Sequence, residues 1–300
     1  MHDTQPLRAI FPYPVTQPKK HGRLLVVGTP IGNLEDLAPR GRRTLAEADV
    51  LFCEDTRVTA KLAARFGLQA RRISCPGPRE ELRVADLLER LERGETVALV
   101  SDAGMPGLSD PGARLVEAAA DAGFPVSVVP GPSAPAAALA VSGLPGAPHF
   151  FAGFLPARAG ERRRTLEAMR DRAETLVWFE APHRLRESLA AAGDVLGPRR
   201  ACVARELTKV HEDIARGTLP ELAERFAAGA APKGEITVVV EGAEGRGSRA
   251  AASTDDDVDS RIREALAAGD SLKDLSKAIG RSAGRPARAV YARALELARR

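Results

Sequence analysis

The stretch VALVSDAGMPGLSDPG, residues 97–112, runs from an apolar strand directly into a loop rich in glycine and proline. The same step occurs in LLVVGTPIGN (24–33) and VSVVPGPSA (126–134), and FFAGFLP (150–156) follows. Apolar strands that alternate with helices form a parallel-type sheet, which binds ligands just beyond the carboxyl ends of its strands. Glycine lets the backbone approach a ligand closely, and proline fixes the loop conformation. The three loops are therefore predicted to meet at one sheet edge and form a pocket.

Residues 23–145 carry the pattern of an N-terminal α/β domain. Apolar runs predict strands at 24–28, 50–55, 97–102 and 126–129. Helical spacing predicts helices at 39–48, 56–66, 79–93, 113–122 and 133–142. Gly67, Gly94, Gly123 and Gly143 stand just beyond four of these segments, where glycine commonly ends a helix.

Residues 146–242 predict a second, smaller α/β domain. Strands are expected at 175–180, 201–206 and 235–242, and helices at 162–172, 185–192 and 220–228. Two of these strands carry charged or amphipathic ends, which favours a sheet of mixed strand directions. The chain is thus expected to hold two α/β domains followed by a small C-terminal unit.

The flanking segments differ from these domains in composition. Residues 1–22 are expected to form a flexible extension, and residues 243–260, poor in large apolar side chains, a linker. Apolar residues at helical spacing return in 261–300 and predict a three-helix unit of the helix-turn-helix kind. Within it, Ser271 followed by Asp274 predicts a helix N-cap, and Gly280 and Gly284 are expected to separate helices.

The charge of the chain is unevenly distributed. The whole sequence has 44 Lys and Arg against 40 Asp and Glu, a net charge of +4. Residues 261–300 contain ten basic and four acidic residues, a net +6, which leaves −2 for the preceding 260. A basic appendage on a near-neutral body suggests a polyanionic partner such as nucleic acid, and a solvated helix face is the alternative.

The three cysteines, Cys53, Cys75 and Cys202, lie far apart and lack the spacing of a zinc site or a disulfide framework. Unpaired cysteines fit a reducing compartment, so a cytoplasmic location without a bound metal is predicted. No run approaches eighteen consecutive apolar residues, and no membrane span is expected.

Several common catalytic motifs are missing from the sequence. It contains no GxxxxGK[ST] phosphate loop, no GxGxxG after a strand and no HExxH zinc motif. One GxSxG match, residues 280–284, lies between predicted tail helices, whereas an esterase elbow requires a preceding strand. A pocket without phosphate-binding chemistry favours a nucleoside-bearing ligand that lacks phosphates.

Two polar residues stand at the predicted pocket edge. Asp102 follows the strand at 97–101, where its carboxylate could accept hydrogen bonds from ribose hydroxyls or an amine, or could serve only as a turn residue. Ser133 opens a helix, whose first backbone N–H groups attract hydrogen-bond acceptors. Met105 and Leu108 can supply an apolar wall.

Eight segments of the chain, taken together and in order, are similar to one known family. They are GTPIGNLEDLAPR, CEDTR, SDAGMPGLSDPG, PGPSA, GFLP, FEAPHR, ARELTKVHE and KGEITVVVEG. Over residues 23–242 they resemble the ribosomal RNA small-subunit methyltransferase I family of the tetrapyrrole methylase superfamily, and the tail resembles that family's C-terminal helical unit. PGPSA is shared across the superfamily, whereas EDTR, FEAPHR and ARELTK are typical of this branch.

The resemblance implies a fold and an activity. Two α/β domains of the tetrapyrrole methylase type would hold S-adenosylmethionine in a cleft between them. The methyl group would go to the ribose 2′-oxygen of a cytidine in the decoding region of 16S rRNA, within the assembled 30S subunit. A homodimer is also implied. Nine positions are assigned to the cofactor by this resemblance: Ile31, Asp102, Met105, Ser133, Ala134, Phe179, Ala204, Gly234 and Glu235. For Phe179, core packing is the alternative.

A ribose hydroxyl is a poor nucleophile, so a general base is expected near it. Candidates within the matching motifs are Glu54, Asp55, Glu180 and Lys209, with His183 and Glu206 beside them. Lys209 could act as a base only if burial lowered its pKa. Contacts to RNA are expected from Arg57, Arg162, Arg163, Arg164, His183, Arg184 and Arg205. The run 162–164 could instead be a solvated helix start, and Arg205 could pair with Glu206.

Two other functions remain open at this stage. One is a methyltransferase of the same superfamily that acts on a tetrapyrrole or a protein side chain. The other is a non-catalytic RNA-binding assembly protein, which would not bind S-adenosylmethionine.

Overall fold

A computed structural model describes residues 22–227, 232–243, 255–283 and 285–298. Residues 1–21 of the predicted extension and residues 244–254 of the predicted linker lie outside these residues. The first sheet contains five parallel strands: β1 Arg23–Val27, β2 Val50–Cys53, β3 Arg71–Ser74, β4 Thr96–Val100 and β5 Val126–Val129. Their spatial order is β3-β2-β4-β1-β5. Four helices connect them: α1 Pro39–Glu47, α2 Thr56–Phe66, α3 Val84–Glu92 and α4 Ala113–Asp121.

Both faces of the central strands β2 and β4 are buried. Successive side chains of a strand point to opposite faces, so Phe52 and Leu99 pack with Leu87 of α3 on one side, while Leu51 and Ala98 pack with α1 and α2 on the other. Burial on both faces explains the nearly continuous apolar runs of these strands.

The second sheet is mixed, as predicted. Its strands are β6 His149–Phe154, β7 Thr175–Glu180, β8 Arg200–Arg205, β9 Asp213–Thr218 and β10 Ile236–Val240, in the order β6-β7-β10-β8-β9. Only the β6–β7 pair within this sheet is parallel. Four helices accompany it: α5 Ala134–Ser142, α6 Ala159–Met169, α7 Leu185–Leu196 and α8 Leu219–Ala227.

Helix α5 joins the two sheets. It follows β5, the last strand of the first sheet, yet it packs on the second sheet. Ala138 and Leu139 of α5 are buried against Val177, Cys202 and Val239. The opposite face of that sheet, centred on Trp178, is covered by α6, α7 and α8. The loop that begins α5 is therefore held between the two halves of the molecule.

The C-terminal unit contains three helices, α9 Asp255–Ala267, α10 Leu272–Ala283 and α11 Ala287–Ala298, around their own apolar cluster. The predicted N-cap is present, because Ser271 Oγ accepts the Asp274 N–H at 3.2 Å and donates to the Asp274 carboxylate at 2.6 Å. Gly280 does not separate helices as predicted. It lies inside α10, where a Cβ atom would come within 2.9 Å of the Arg285 carbonyl oxygen.

Several element predictions were wrong. Strands β3 and β9 were missed because each lies at a sheet edge and contributes a single buried side chain, Ile73 in β3 and Ala215 in β9. The predicted helix at 79–93 is two short 3-10 turns followed by α3. The predicted linker ends earlier than 260, since α9 includes Val258, the first residue of the tail core.

Candidate functional site

Three loops of the first sheet meet beyond its carboxyl edge, as the sequence predicted. The Thr29 N–H donates to the Gly104 carbonyl at 2.8 Å, and the Gly104 N–H donates back to Thr29 at 3.1 Å. Gly28 and Gly131 approach so closely that a Cβ atom on Gly28 would lie 2.6 Å from Gly131 Cα and from Met105 Sδ. Only glycine fits such a contact. The loops after β1, β4 and β5 therefore form one connected surface.

A buried carboxylate fixes the second of these loops. Glu80 is 8% exposed, and its Oε1 accepts the N–H groups of Gly112, Arg114 and Leu115 at 2.8 to 3.2 Å. These donors include the first turn of α4, where a carboxylate is favoured by the free N–H groups of the helix. Glu80 thereby anchors the end of the loop that follows β4.

A cavity of about 350 Å³ lies between these loops and the second sheet. Its walls come from the loops after β1, β4 and β5, from the ends of β6 and β7, and from the start of β10. Of the nine residues predicted to contact a cofactor, seven line it: Ile31, Met105, Ser133, Ala134, Phe179, Gly234 and Glu235. The sequence reasoning missed several lining residues, among them Asp110, Phe154 and Thr237.

Ala204, the eighth predicted residue, is 1% exposed and is not among the residues that line the cavity. It shares a row of the second sheet with Thr237 and Phe179, because Thr237 pairs with both of them. Ala204 packs in the apolar cluster below, with Ile31 and α5. Its small side chain supports the wall that Thr237 and Phe179 form.

Asp102, the ninth, also lies outside the cavity wall. Its Oδ1 accepts the Asp55 N–H at 3.0 Å and so connects the loop after β4 to the loop after β2. Burial raises the pKa of Asp102, and this hydrogen bond partly opposes the shift. This placement agrees with the second alternative left open by the sequence, a turn residue.

Asp110 is the carboxyl group in the cavity that the sequence reasoning overlooked. Burial raises its pKa to about 6, and the nearby negative charge of Glu54 adds to the effect. Burial followed by the charge of Asp102 also raises the pKa of Glu54, which is not among the lining residues. Asp110 ends the same glycine- and proline-rich loop that contains Asp102, and this shared loop was the available signal.

Asp55 has the opposite electrostatic environment. It caps α2 by accepting the Arg57 N–H at 2.8 Å, and its carboxylate also accepts hydrogen bonds from Nε and Nη2 of the Arg57 guanidinium. Hydrogen bonds from Arg57 lower the pKa of Asp55 to about 2. A carboxylate with so low a pKa is a weak base at neutral pH. The Arg57 side chain is 88% exposed.

Lys209 does not meet the condition set for a base. Its Nζ donates to Glu206 at 2.7 Å and to Glu235 at 3.1 Å. Burial acts to lower the pKa of Lys209, but these hydrogen bonds outweigh burial and the pKa is raised. Lys209 is therefore a charged bridge beside the cavity wall. Gly234, which has φ of +91°, packs so closely against the Glu206 side chain that a Cβ atom would not fit there.

Glu180 is the fourth candidate, and it lines the cavity with a side chain only 1% exposed. Its Oε1 accepts the Ala181 N–H at 2.9 Å and pairs with Arg184 at 3.1 Å. Its Oε2 has no hydrogen-bond partner among the described residues. Arg184, predicted to contact RNA, thus has Glu180 as a nearly buried counterion.

The remaining predicted RNA contacts fall into two groups. Arg163, Arg164 and His183 are exposed, and Arg163 pairs with Glu167 one turn along α6. Arg162 is only 4% exposed and pairs with Glu187 of α7, which leaves little of its side chain available for the predicted RNA contact. Arg205 donates to the Lys233 carbonyl at 3.2 Å and pairs with Asp213, not with Glu206, at 3.7 Å.

The cysteines are buried, and burial raises the pKa of each thiol. No group of three or more metal-ligating side chains was found among residues 22–227, 232–243, 255–283 and 285–298. In the same part of the chain, no helix has the length and apolar character needed to cross a membrane.

Comparisons with known proteins place this architecture in a family. Residues 23–223 match the tetrapyrrole (corrin/porphyrin) methylases. Among solved structures, the methyltransferase CobJ aligns with a TM-score of 0.57 at 22% identity, over 74% of this chain and 95% of that one. The cobalt precorrin-4 methyltransferase CbiF aligns with a TM-score of 0.56 at 18% identity, over 76% and 98%. At these identities the likeness shows the fold alone.

Curated relatives are more similar to this chain in sequence than these solved structures are, and the following three are each called ribosomal RNA small subunit methyltransferase I. The protein from Mesorhizobium japonicum is 44% identical over 275 residues, which are 91% of this chain and 92% of that protein. The one from Thermotoga maritima is 44% identical over 74% of this chain and its own full length. The one from Mycobacterium tuberculosis is 48% identical over 74% and 78%. The chain belongs to the ribosomal RNA small subunit methyltransferase I family of the tetrapyrrole methylases.

Proposed function

We propose that this chain uses S-adenosylmethionine to methylate the ribose 2′-oxygen of a cytidine in the decoding region of 16S rRNA, within the assembled 30S subunit. The observation that carries the cofactor assignment is the charge of the cavity. Its described lining contains three carboxyl groups, Asp110, Glu180 and Glu235, and no Lys or Arg. From outside the lining, Arg184 pairs with Glu180 and Lys209 pairs with Glu235. Among the described residues, Asp110 is therefore the lining carboxyl group without an ion pair. Such a lining suits a ligand with cationic groups and disfavours phosphates.

The shape of the cavity supports the same ligand. Ile31, Met105 and Phe179 provide apolar surface, and a volume of about 350 Å³ lies in the range of small-molecule sites. Glycine and proline loops bring backbone groups of both halves to the wall. S-adenosylmethionine carries a nucleoside, a sulfonium, an ammonium and a carboxylate group, and no phosphate. The residues present fit this group.

The mechanism needs positioning and one proton acceptor. When bound, S-adenosylmethionine would supply an electrophilic methyl group, which would pass to the ribose oxygen as its bond to sulfur breaks. The two-sided cavity would hold the reactants in line and exclude water, which accounts for much of the catalysis in such displacements. Asp110 is the residue we assign to accept the hydroxyl proton, because it lines the cavity and its pKa of about 6 leaves it ionised yet basic at neutral pH.

The family membership supports the acceptor. The relatives are named for methylation of small-subunit ribosomal RNA, and the cytidine, the 2′-oxygen and the 30S particle are expectations from the resemblance. A homodimer and a cytoplasmic location complete the proposal. Sedimentation equilibrium of the purified chain would check the dimer.

The decisive experiment is transfer of labelled methyl from S-adenosylmethionine to unmodified 30S subunits, naked 16S rRNA and 50S subunits. The RNA is then digested and its nucleosides are identified by mass. We expect 2′-O-methylcytidine from 30S subunits only. Cofactor binding without transfer to any RNA would contradict the acceptor, and a lack of cofactor binding would favour the assembly-protein alternative.

A further inference from the structure

Two exposed apolar side chains line the cavity. Phe154 is 57% exposed and Leu108 is 48% exposed, yet both contribute to the cavity wall. Phe154 lies at the end of β6 in the second sheet, and Leu108 lies in the loop after β4 in the first. Each sheet therefore contributes one apolar side chain that lines the cavity and remains partly exposed to solvent. Exposed apolar surface beside a pocket is typical of a binding site.

An irregularity in β6 brings Phe154 to this position. From His149 to Phe151 the strand pairs in register with β7, with Phe151 opposite Val177, and regular pairing would place Gly153 opposite Phe179. The register shifts, and Phe154 lies opposite Phe179 instead. Because side chains alternate between faces, a shift of one residue moves Phe154 to the other face of the sheet. Bulges of this kind redirect side chains beside active sites.

The backbone and neighbouring rings hold Phe154 in place. Gly153 has φ of +65°, and a Cβ atom on it would lie 3.1 Å from Ser109 Oγ of the opposite loop. The Phe154 ring lies 5.3 Å from the Phe179 ring, which in turn contacts Phe151 at 5.1 Å. Phe154 thus presents a supported aromatic ring, more than half of it exposed, beside the cavity.

We propose that the nucleobase of the acceptor nucleotide stacks on Phe154, with Leu108 contributing apolar contact from the first sheet. This inference rests on the proposed function. A nucleotide that has left the RNA stack can bring its ribose hydroxyl deeper into the cavity, and a displaced base is commonly held on an aromatic ring. Stacking tolerates any base, so Phe154 would position the nucleotide and other contacts would select it.

The test compares Phe154→Ala, Phe154→Leu and Phe154→Tyr in the full-length protein. Loss of one stacking contact is expected to raise KM for 30S subunits about tenfold to a hundredfold. Phe154→Ala and Phe154→Leu should both show this increase, because leucine keeps apolar bulk without a ring, while Phe154→Tyr should remain within about twofold of the wild type. Leu82→Ala, which alters a side chain 74% exposed and not among the cavity-lining residues, is the matched control.

Calorimetry with S-adenosylmethionine separates this role from cofactor binding. Because Phe154 also lines the cavity, any rise of the dissociation constant in Phe154→Ala and Phe154→Leu should be several-fold smaller than the rise of KM for 30S subunits. A dissociation constant weakened as much as KM in Phe154→Ala would overturn the proposal by reducing Phe154 to a cofactor contact, and a wild-type KM in Phe154→Leu would overturn it by removing the need for a ring. Failure of the wild-type protein to methylate any RNA would instead refute the proposed function, and with it the stacking of a nucleobase on Phe154.

Discussion

At the scale of single residues, two carboxyl groups near the site differ in pKa because their surroundings differ. Asp55 lies at a helix start beside an exposed arginine, and hydrogen bonds from Arg57 lower its pKa to about 2. Asp110 lies in a cavity wall, and burial raises its pKa to about 6. Groups whose environments separate their pKa values in this way commonly take different roles in proton transfer. Asp110 is suited to accept a proton, whereas Asp55 is suited to hold Arg57.

Replacing Asp110 by asparagine should therefore remove a pH-dependent step. In the wild type, the methyl-transfer rate should rise between about pH 5 and 7, half-maximal near pH 6, as Asp110 ionises. Asp110→Asn should lower kcat by about a hundredfold to ten-thousandfold and abolish this rise. Rates measured from pH 5 to 8.5 give both results. Glu117→Gln, on the exposed side of α4, should behave as the wild type.

The same substitution should affect stability in the opposite direction. Because the folded protein raises the pKa of Asp110 above its unfolded value, the stabilising effect of the protonated form is lost as pH rises from about 4 past 6. Asp110→Asn should thus raise the free energy of unfolding at pH 7.5 by on the order of 1–3 kcal/mol, with no gain at pH 4. A variant that loses both activity and stability at pH 7.5 would argue for a structural role instead.

At the scale of elements, the site depends on three loops that touch through glycine. Gly28 contacts Gly131 backbone to backbone and lies against Met105, so the loops after β1, β4 and β5 hold one another in place. Parallel strands bring such loops to one edge, but only close backbone contact makes them a continuous wall. The shape of the cavity wall therefore depends on the contacts between the loops as well as on the sheet.

Gly28→Ala tests this dependence. Its Cβ atom would lie 2.6 Å from Gly131 Cα, which forces backbone atoms apart, so we expect a loss of about 1–3 kcal/mol in stability and at least tenfold weaker S-adenosylmethionine binding. Chemical denaturation and calorimetry measure the two effects. Gly160→Ala in α6, where the Cβ atom would meet nothing within 4 Å, should be neutral or slightly stabilising. Equal behaviour of the two variants would contradict the argument.

The sequence predicted these elements unevenly, for physical reasons. Central strands such as β4 were found because burial on both faces demands a continuous apolar run. Edge strands β3 and β9 escaped because an edge position requires little apolar surface. The burial of Arg162 was not foreseen although a signal existed, since Arg162 lies four and seven residues before Leu166 and Met169 on the buried side of α6. The pKa of Asp110 depends on burial between elements, which local sequence does not encode.

At the scale of the whole molecule, the excess of positive charge belongs to the C-terminal helical unit, whereas the cavity is lined by carboxyl groups. The cavity wall is acidic, the first 260 residues carry a net −2, and the last forty carry +6. The tail has its own core, with Leu275 and Ile279 buried on one side of α10 while Lys273 and Lys277 are exposed. A folded basic unit can bind RNA phosphates while a separate acidic site binds a cationic cofactor. Under the proposed function, the tail would add affinity for the subunit and the cavity would perform the chemistry.

Replacing Lys273 and Lys277 together by alanine tests this division of roles. If each lysine neutralises one phosphate, the slope of log affinity for 30S subunits against log salt should fall by about 1.5, and S-adenosylmethionine binding should be unchanged. Filter binding at 50 to 200 mM salt measures the slope. The Lys273→Arg and Lys277→Arg double variant keeps both charges and should match the wild type. An unchanged slope in the alanine variant would mean that the exposed side of α10 is a solvated face and that the subunit is bound elsewhere.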